Sequence, residues 1–160
     1  MIEYWSTDKE FGLVISHEQL KEISILCIKA GSHETGGILI GGYSENRACA
    51  SITQITGPAQ DSRSGRSWFI RGTFGLQKLI DRLWKQDRQY YLGEWHFHPD
   101  AQPNPSAQDI AQMKSIAFSQ TYNCPEPLLL IMGGNPAKHP LVRVFVFPGG
   151  KIIELAAHSS

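Results

Sequence analysis

The sequence predicts one α/β domain over residues 1–160, with a mixed central β-sheet and flanking helices. Segments with the two-residue alternation of strands are interleaved with segments of helical periodicity, and no repeat, linker or low-complexity tract divides them. A chain of 160 residues with 41% hydrophobic content is the size of one ordinary domain, and two domains would be crowded.

The first quarter of the chain predicts a strand, a helix and a second strand. After a short apolar stretch, Ser16 begins the helix, because Gln19 three residues later completes a capping box. Gly31 ends this helix. Glu34 then stands at the mouth of an apolar strand with the spaced glycines expected where another backbone approaches closely.

The middle of the chain predicts a third strand, an exposed loop and a second helix. The stretch 58–67 is polar, glycine-containing and aperiodic, so we expect a loop in which Arg63 and Arg66 are solvated charges. The helix follows from apolar residues that recur at helical spacing, and we expect them all in the core: Leu76, Leu79, Ile80, Leu83 and Trp84.

The stretch YYLGEWHFH alternates as a strand does. The alternation places Glu94, His96 and His98 on one face of that strand and Trp95 and Phe97 on the other. A proline-rich loop then leads to a third helix and three closing strands, the last two joined by a Pro-Gly-Gly turn.

Charge and cysteine content exclude several classes of protein. Fifteen basic residues balance fifteen acidic ones, so neither a nucleic acid nor a membrane is predicted as a partner. Cys27, Cys49 and Cys124 are widely spaced without a CxxC pair, which predicts reduced core thiols. The polar start and the lack of a long apolar run predict a soluble, cytoplasmic protein.

The two histidines of the alternating strand indicate a metal site. Catalytic zinc takes three ligands from the protein and leaves the fourth position to water. His96 and His98 project from one strand face, close enough to bind one ion. Asp109 is the candidate third ligand, because the proline-rich loop turns the chain back and Asp109 lies one turn into the following helix.

Two further residues complete a hydrolytic site in this interpretation. A water that attacks a carbonyl needs a base, and Glu34 at its strand mouth is the candidate. Ser106, at the start of the third helix, is the candidate donor to the oxyanion that forms.

Each of these residues also has an ordinary structural explanation. Ser106 and Asp109 form a good helix cap, the two histidines could belong to a polar sheet face, and Glu34 could be a turn carboxylate. The joint order of Glu, HxH, Pro, Ser and Asp at this spacing favours the functional interpretation.

This set, from Glu34 through His96-x-His98-Pro99 to Ser106-x-x-Asp109, resembles the complete signature of the JAMM, or JAB/MPN, zinc metalloprotease family. The resemblance covers most of the chain. It implies a cytidine-deaminase-like MPN fold, with Zn²⁺ bound by His96, His98 and Asp109, Glu34 as general base and acid, and Ser106 as oxyanion donor.

The resemblance also implies an activity. Members with the full signature are isopeptidases or peptidases that cut after the C-terminal residue of ubiquitin, a ubiquitin-like modifier or another conjugated protein. The stretch LGEWHFHP in so short a chain is similar to compact bacterial members, especially those encoded beside E1- and E2-like proteins in CBASS antiphage operons. There they reverse the conjugation of a nucleotidyltransferase.

Two other function classes compete with this one. A non-catalytic MPN-type binding module would act as a scaffold, but relatives of that kind have lost ligands that this chain retains. A metal phosphoesterase or nuclease also uses HxH motifs, but neutral charge and the Ser-x-x-Asp spacing disfavour it.

Two features keep open roles. Glu94 shares a face with the histidines, so it is either an acceptor for an imidazole N–H or a structural carboxylate. The 58–67 loop is a candidate border of the substrate groove because of its polarity.

Overall fold

Eight strands close into one barrel in the computed structural model, which describes residues 1–158. With two more outside the barrel, the described residues form ten strands: β1 (Ile2–Trp5), β2 (Gly12–Ile15), β3 (Thr35–Tyr43), β4 (Cys49–Ile55), β5 (Arg63–Ser64), β6 (Phe69–Ile70), β7 (Tyr90–Pro99), β8 (Leu128–Asn135), β9 (His139–Val146) and β10 (Ile153–His158). Their order around the barrel is β1-β10-β9-β8-β7-β3-β4-β2, and β5 and β6 form a separate two-stranded sheet.

The barrel sheet is mixed, as predicted. Strands β7 and β8 are parallel, and so are β2 and β4, whereas the remaining neighbours are antiparallel. The closure was not predicted. It depends on β1, which pairs with β2 on one side and β10 on the other. This strand has only four residues, too few for an alternation to be recognised within a polar segment.

Three α-helices flank the sheet, at the places where the sequence predicts them. They are α1 (His17–Ala30), α2 (Leu76–Asp87) and α3 (Ala107–Phe118). Ser16 caps α1 and its side chain accepts from the main-chain N–H of Gln19, while the Gln19 side chain accepts from the N–H of Ser16. The N–H of Gly31 bonds back to the last carbonyls of this helix.

The apolar residues of β7 and β8 divide between two cores, one on each face of these strands. One core packs Ile23 and Cys27 of α1 with Trp95 and Phe97 of β7. The other packs α2 and α3 against residues such as Ile131. Because both faces are covered, β7 is buried along nearly all its length, including the face that carries its polar residues.

The core prediction for α2 holds in part. Leu76 and Leu83 are buried, and Leu79 and Ile80 pack against the same core at half-buried positions. Trp84 does not belong to the core, because 42% of it is exposed. Its ring contacts Tyr90 and the Arg88 guanidinium at the surface of the protein. The apolar stripe of α2 is therefore wider than the part of the helix that packs against the core.

The 58–67 segment contains more order than a loop. Strands β5 and β6 form a small antiparallel hairpin in which Ser64 pairs with Phe69. Arg63 and Arg66 are exposed, as predicted. Strands of two residues are too short to leave a periodic pattern, so the sequence reveals only the polarity of this segment.

All three cysteines are free thiols, and Cys27 and Cys124 are buried. Burial raises the pKa of the Cys27 thiol to about 12 and that of Cys124 to about 11, so both are unreactive near neutral pH. Cys49 is only half-buried, in partial agreement with the predicted core thiols. Within residues 1–158, no helix has the length and apolarity needed to span a membrane.

Candidate active site

Strand pairing between β3 and β7 sets the frame of the site. In their antiparallel register Gly36 lies opposite His96, and this brings Glu34, just before β3, towards His98. Oε1 of Glu34 lies 3.9 Å from Nε2 of His98. The residues that the sequence predicts as base and ligand therefore face each other across two neighbouring strands.

Gly36 makes room for the imidazole. A methyl group at this position would lie 2.9 Å from Cδ2 of His96 and 2.8 Å from Cε2 of Phe69, both too close for a carbon contact. The Phe69 ring approaches the His96 ring edge to face, with centroids 5.6 Å apart. Gly36 thus permits the close packing that orients His96.

Helix α3 brings Asp109 between the two histidines. Oδ1 of Asp109 lies 2.9 Å from Nδ1 of His96, in a hydrogen bond. Its Oδ2 lies 3.2 Å from Nε2 of His98, without the geometry of a hydrogen bond. The proline-rich loop therefore turns the chain back as expected, and the three proposed ligands lie together.

Ser106 is the N-cap of α3, in agreement with the helix cap that the sequence offers as an ordinary structural role for this residue. Its Oγ accepts from the N–H of Asp109 at 3.0 Å, and Oδ2 of Asp109 accepts from the N–H of Ser106 at 2.8 Å. The residue is exposed. A hydroxyl that accepts one hydrogen bond still has its own proton to donate, so capping leaves Ser106 free to donate to a substrate.

Four ionisable side chains of the site are buried. Glu34, His96, His98 and Asp109 expose 8%, 0%, 9% and 4% of their surfaces. Burial raises the pKa of Glu34 above its usual value. A raised pKa makes a carboxylate a better proton acceptor.

The carboxylates and imidazoles shift each other's pKa in opposite directions. Burial opposes the charge of Asp109, but the two imidazoles and the N–H of Ser106 hold the pKa of this carboxyl well below its usual range. Burial also opposes the charge of His98, and the carboxylates of Asp109 and Glu34 outweigh it and raise the pKa of His98. The site thus favours ionised Asp109.

Two features of the donor set fit zinc. Nε2 of His96 and Nε2 of His98 are buried without a hydrogen-bond partner, and buried polar atoms of this kind usually have one. Two nitrogen or oxygen ligands at tetrahedral zinc lie about 3.3 Å apart, close to the 3.2 Å between His98 and Asp109. Both observations fit a metal.

The side chains do not yet surround one point. Among residues 1–158, no three His, Cys, Asp or Glu side chains form a group with the geometry to hold a metal ion. The hydrogen bond between His96 and Asp109 uses Nδ1 of the imidazole and leaves its Nε2 atom without a partner. A zinc ion held by these three residues would require their donor atoms to converge further.

Glu94 does not contact either imidazole. It is fully buried, and its carboxylate pairs with Nε of Arg71 at 2.5 Å and accepts from the hydroxyl of Tyr91. Of the two roles considered for Glu94, the structure therefore shows the structural one. The partner of the His96 Nδ1 atom is Asp109 instead.

The β5–β6 hairpin, which includes part of the polar 58–67 segment, contacts two residues of the site. The main-chain N–H of Glu34 donates to the carbonyl of Gly65 at 2.8 Å, and Phe69 contacts His96. Trp68 and Ile70 are exposed on the same hairpin. The sequence did not indicate that Phe69 contacts His96 or that Arg71 pairs with Glu94 beside the site. The signal for both residues is an apolar and basic ending after a polar loop.

The arrangement is suited to hydrolysis of a carbonyl compound. It combines a buried carboxylate of raised pKa, two imidazoles with unpaired nitrogens, an ionised carboxylate between them and an exposed hydroxyl at a helix N-terminus. Groups of these kinds can serve as a general base, as metal ligands and as an oxyanion donor.

Comparison with known proteins gives a consistent result. Residues 17–146 match the family model described as prokaryotic homologues of the JAB domain. The chain is 44% identical over 140 residues to a protein of Enterobacter hormaechei named CD-NTase/cGAS isopeptidase, a match that covers 88% of this chain and 77% of that protein.

Two further relatives and one solved structure agree. A protein of Escherichia coli with the same name is 38% identical over 107 residues, and one of Pseudomonas aeruginosa is 32% identical over 104 residues. These matches cover 65% and 64% of this chain, and 64% of each relative. The solution structure of a Desulfitobacterium hafniense protein has a TM-score of 0.67 at 18% identity, covering 89% of this chain and 88% of that one, which shows a shared fold.

Proposed function

The chain belongs to the prokaryotic homologues of the JAB domain, and from that premise we propose that it is a zinc-dependent isopeptidase. It would cleave the bond between the C-terminal residue of a conjugated protein and a lysine. One observation of the structure carries the proposal: Glu34, His96, His98 and Asp109 are buried together, with both histidines presenting unpaired Nε2 atoms.

His96, His98 and Asp109 are the residues that would hold the zinc ion. When bound, zinc polarises a carbonyl and lowers the pKa of water. Asp109 contributes negative charge, since its pKa is held low, and the hydrogen bonds at the start of α3 fix its orientation. The edge of Phe69 restricts the ring of His96.

Glu34 is the proposed general base and general acid of the reaction. Its Oε1 atom faces the imidazole of His98 at 3.9 Å, at the mouth of β3. As base, the carboxylate takes a proton from the attacking water, and as acid it returns that proton to the nitrogen of the departing lysine. The raised pKa of Glu34 favours this return step.

Ser106 supports the oxyanion. Attack on the carbonyl carbon places negative charge on its oxygen, and the exposed Oγ–H of Ser106 is a donor beside the site. Because the cap uses Oγ only as an acceptor, both functions are compatible in one side chain.

The names of the relatives point to the substrate. Three relatives are named CD-NTase/cGAS isopeptidases, so we propose a nucleotidyltransferase conjugated through its C-terminus as the substrate, rather than ubiquitin. This agrees with a role beside E1- and E2-like enzymes in antiphage defence. The free thiols favour the cytoplasm as its compartment.

The test is cleavage of an isopeptide-linked conjugate by the purified protein with zinc supplied. We expect release of the intact C-terminus, its loss on addition of a chelator, and its recovery with zinc. Glu34→Gln should lower turnover by a factor of about 10² to 10⁴, the usual contribution of a general base, and retain zinc. Glu22→Gln, an exposed carboxylate of α1, is the matched control.

Two results would contradict the proposal. Undiminished turnover by the Glu34→Gln variant would remove Glu34 from the role of base. A folded parent protein that binds no zinc and cleaves no conjugate would favour a non-catalytic binding module. The incomplete convergence of the proposed ligands makes this second outcome worth measuring directly.

A further inference from the structure

A buried ion pair lies beside the site and has no part in the chemistry described above. Arg71 and Glu94 are paired at 2.5 Å, with 4% and 0% of their side chains exposed. The other Glu94 oxygen accepts from the Tyr91 hydroxyl, and Arg71 also donates to the carbonyl of Gly72 at 2.9 Å and to the Tyr122 hydroxyl at 2.5 Å. Each nitrogen of the guanidinium and each oxygen of the carboxylate therefore makes a hydrogen bond.

The pair joins the β5–β6 hairpin to the strand that carries the histidines. Arg71 follows directly after β6, and Glu94 precedes His96 by two residues on the same face of β7. The hairpin forms its own sheet and shares no strand pairing with the barrel. Contacts outside the strand ladders must therefore hold it in place.

The hairpin in turn contacts two residues of the site. In its turn, the carbonyl of Gly65 accepts a hydrogen bond from the main-chain N–H of Glu34 at 2.8 Å. Its second strand supplies Phe69, whose ring meets the His96 imidazole at a centroid distance of 5.6 Å. A displacement of the hairpin would move the support of both Glu34 and His96.

A buried ion pair is poorly explained by stability alone. Desolvation of two charges offsets most of their attraction, and apolar residues of similar volume often stabilise a fold equally well. What a pair with four directional hydrogen bonds adds is a defined geometry. Here that geometry connects the hairpin, β7 and, through Tyr122, the segment before β8.

We propose that Arg71 is a positioning residue, whose ion pair with Glu94 holds the β5–β6 hairpin so that Gly65 and Phe69 fix Glu34 and His96 for the reaction. This inference rests on the proposed function for its effect on turnover. Its structural part, the support of Glu34 through Gly65, is measurable without any substrate.

The experiment compares Arg71→Met, Arg71→Lys and the core variant Leu155→Ala. Leu155 is buried in β10 and lies outside the network. Amide hydrogen exchange of Glu34 reports the bond to Gly65, and kcat and KM on the conjugate report the reaction. In Arg71→Met we expect faster exchange at Glu34 and a kcat lower by about 10²-fold, as for a misplaced catalytic group.

The other variants separate positioning from general stability. Arg71→Lys keeps the charge and should recover part of both effects, whereas Leu155→Ala should lower the Tm with kcat and Glu34 exchange unchanged. If Arg71→Met does not fold, Glu94→Gln provides the same readouts with a neutral acceptor of the same shape. Unchanged exchange at Glu34 and unchanged kcat in the folded variant would overturn the proposal.

The two proposals fail in different ways. A parent protein that cleaves no conjugate contradicts the isopeptidase function, while the exchange measurement at Glu34 still decides whether Arg71 supports that residue. An active parent with an equally active Arg71→Met variant contradicts the positioning role alone.

Discussion

Asp109 uses one carboxylate oxygen for two contacts: its Oδ2 accepts from the main-chain N–H of Ser106 at 2.8 Å and lies 3.2 Å from Nε2 of His98. The hydrogen bond is half of the capping box of α3, and the second contact belongs to the candidate metal site. The cap of the helix and the orientation of a ligand thus share one atom. Stability of the helix and function of the site are coupled at this point.

Replacement of Ser106 by Ala should separate these two contributions. We expect a loss of about 1 kcal/mol of stability from the missing cap and a turnover lower by about 10²-fold from the missing oxyanion donor. Ser16→Ala is the matched control, because Ser16 caps α1 with the same kind of capping box and is not one of the proposed site residues. Equal turnover in the two variants would assign Ser106 to capping alone; urea unfolding and kcat are the measurements.

Zinc content should depend on the two strand histidines. We expect about one zinc ion per chain in the parent protein and its loss in a folded His98→Ala variant. His139→Ala, an exposed histidine of β9, should keep the metal. Elemental analysis with circular dichroism measures both properties, and zinc retained at full occupancy in His98→Ala would exclude His98 as a ligand.

The pH dependence of the metal-free protein follows from the pKa shifts of the buried site residues. The raised pKa of Glu34 acts in the same direction as that of His98, so both make the stability fall as pH rises. The raised pKa of His98 adds stability that is complete below its usual value of 6.5 and is lost as pH rises through the folded-state value. The lowered pKa of Asp109 adds stability that is present above 3.8 and is lost as pH falls. With a chelator present, the Tm should therefore be highest between these two values.

The same measurement has a direct control. His98→Ala should reduce the loss of stability on the alkaline side, where the raised pKa of Glu34 still contributes. It should keep most of the loss on the acidic side, because His96 and the N–H of Ser106 still lower the pKa of Asp109. Zinc should add most stability above the His98 pKa, because protons compete with the metal for the imidazole. Identical Tm profiles for the parent and the variant would show that His98 does not titrate in this way.

Gly36→Ala should impair the site through packing. The added methyl group would meet the main-chain oxygen of Trp95 at 2.5 Å, besides Phe69 and His96, so we expect weaker zinc binding and a lower kcat. Gly42→Ala in the same strand is the control, since the nearest atom to its methyl group is Nε2 of Gln89 at 3.9 Å. Similar zinc affinity in both variants would contradict this account.

The two apolar residues at the end of α2 should differ in their effect on stability. Leu83 is 4% exposed, so Leu83→Ala should cost about 2 to 5 kcal/mol. Trp84 is 42% exposed, and Trp84→Ala should cost less than about 1 kcal/mol. Chemical denaturation of both variants compares them, and equal losses would place Trp84 in the core after all.

Much of the fold follows from local patterns. The capping boxes at Ser16 and Ser106 and the alternation of the strand from Tyr90 determine where these elements begin and which side chains share a face. They do so because helix capping and strand alternation depend on neighbours within a few residues. For the same reason, the sequence alone indicates that His96 and His98 project together.

The tertiary structure decided which strands pair and which side chains become neighbours, and local sequence patterns do not contain this information. The pairing of β1 with both β2 and β10 closes the barrel. The hairpin from Arg63 to Ile70 contacts residues distant in sequence, Glu34 through Gly65 and His96 through Phe69. Glu94 is one example. Strand alternation predicts the face on which it lies, but its partner Arg71 follows a different strand and is known only from the tertiary structure. Long-range pairing carries no periodic signal in the chain. The sequence by itself therefore determined which residues are candidates for the chemistry, and tertiary packing decided which neighbours hold them.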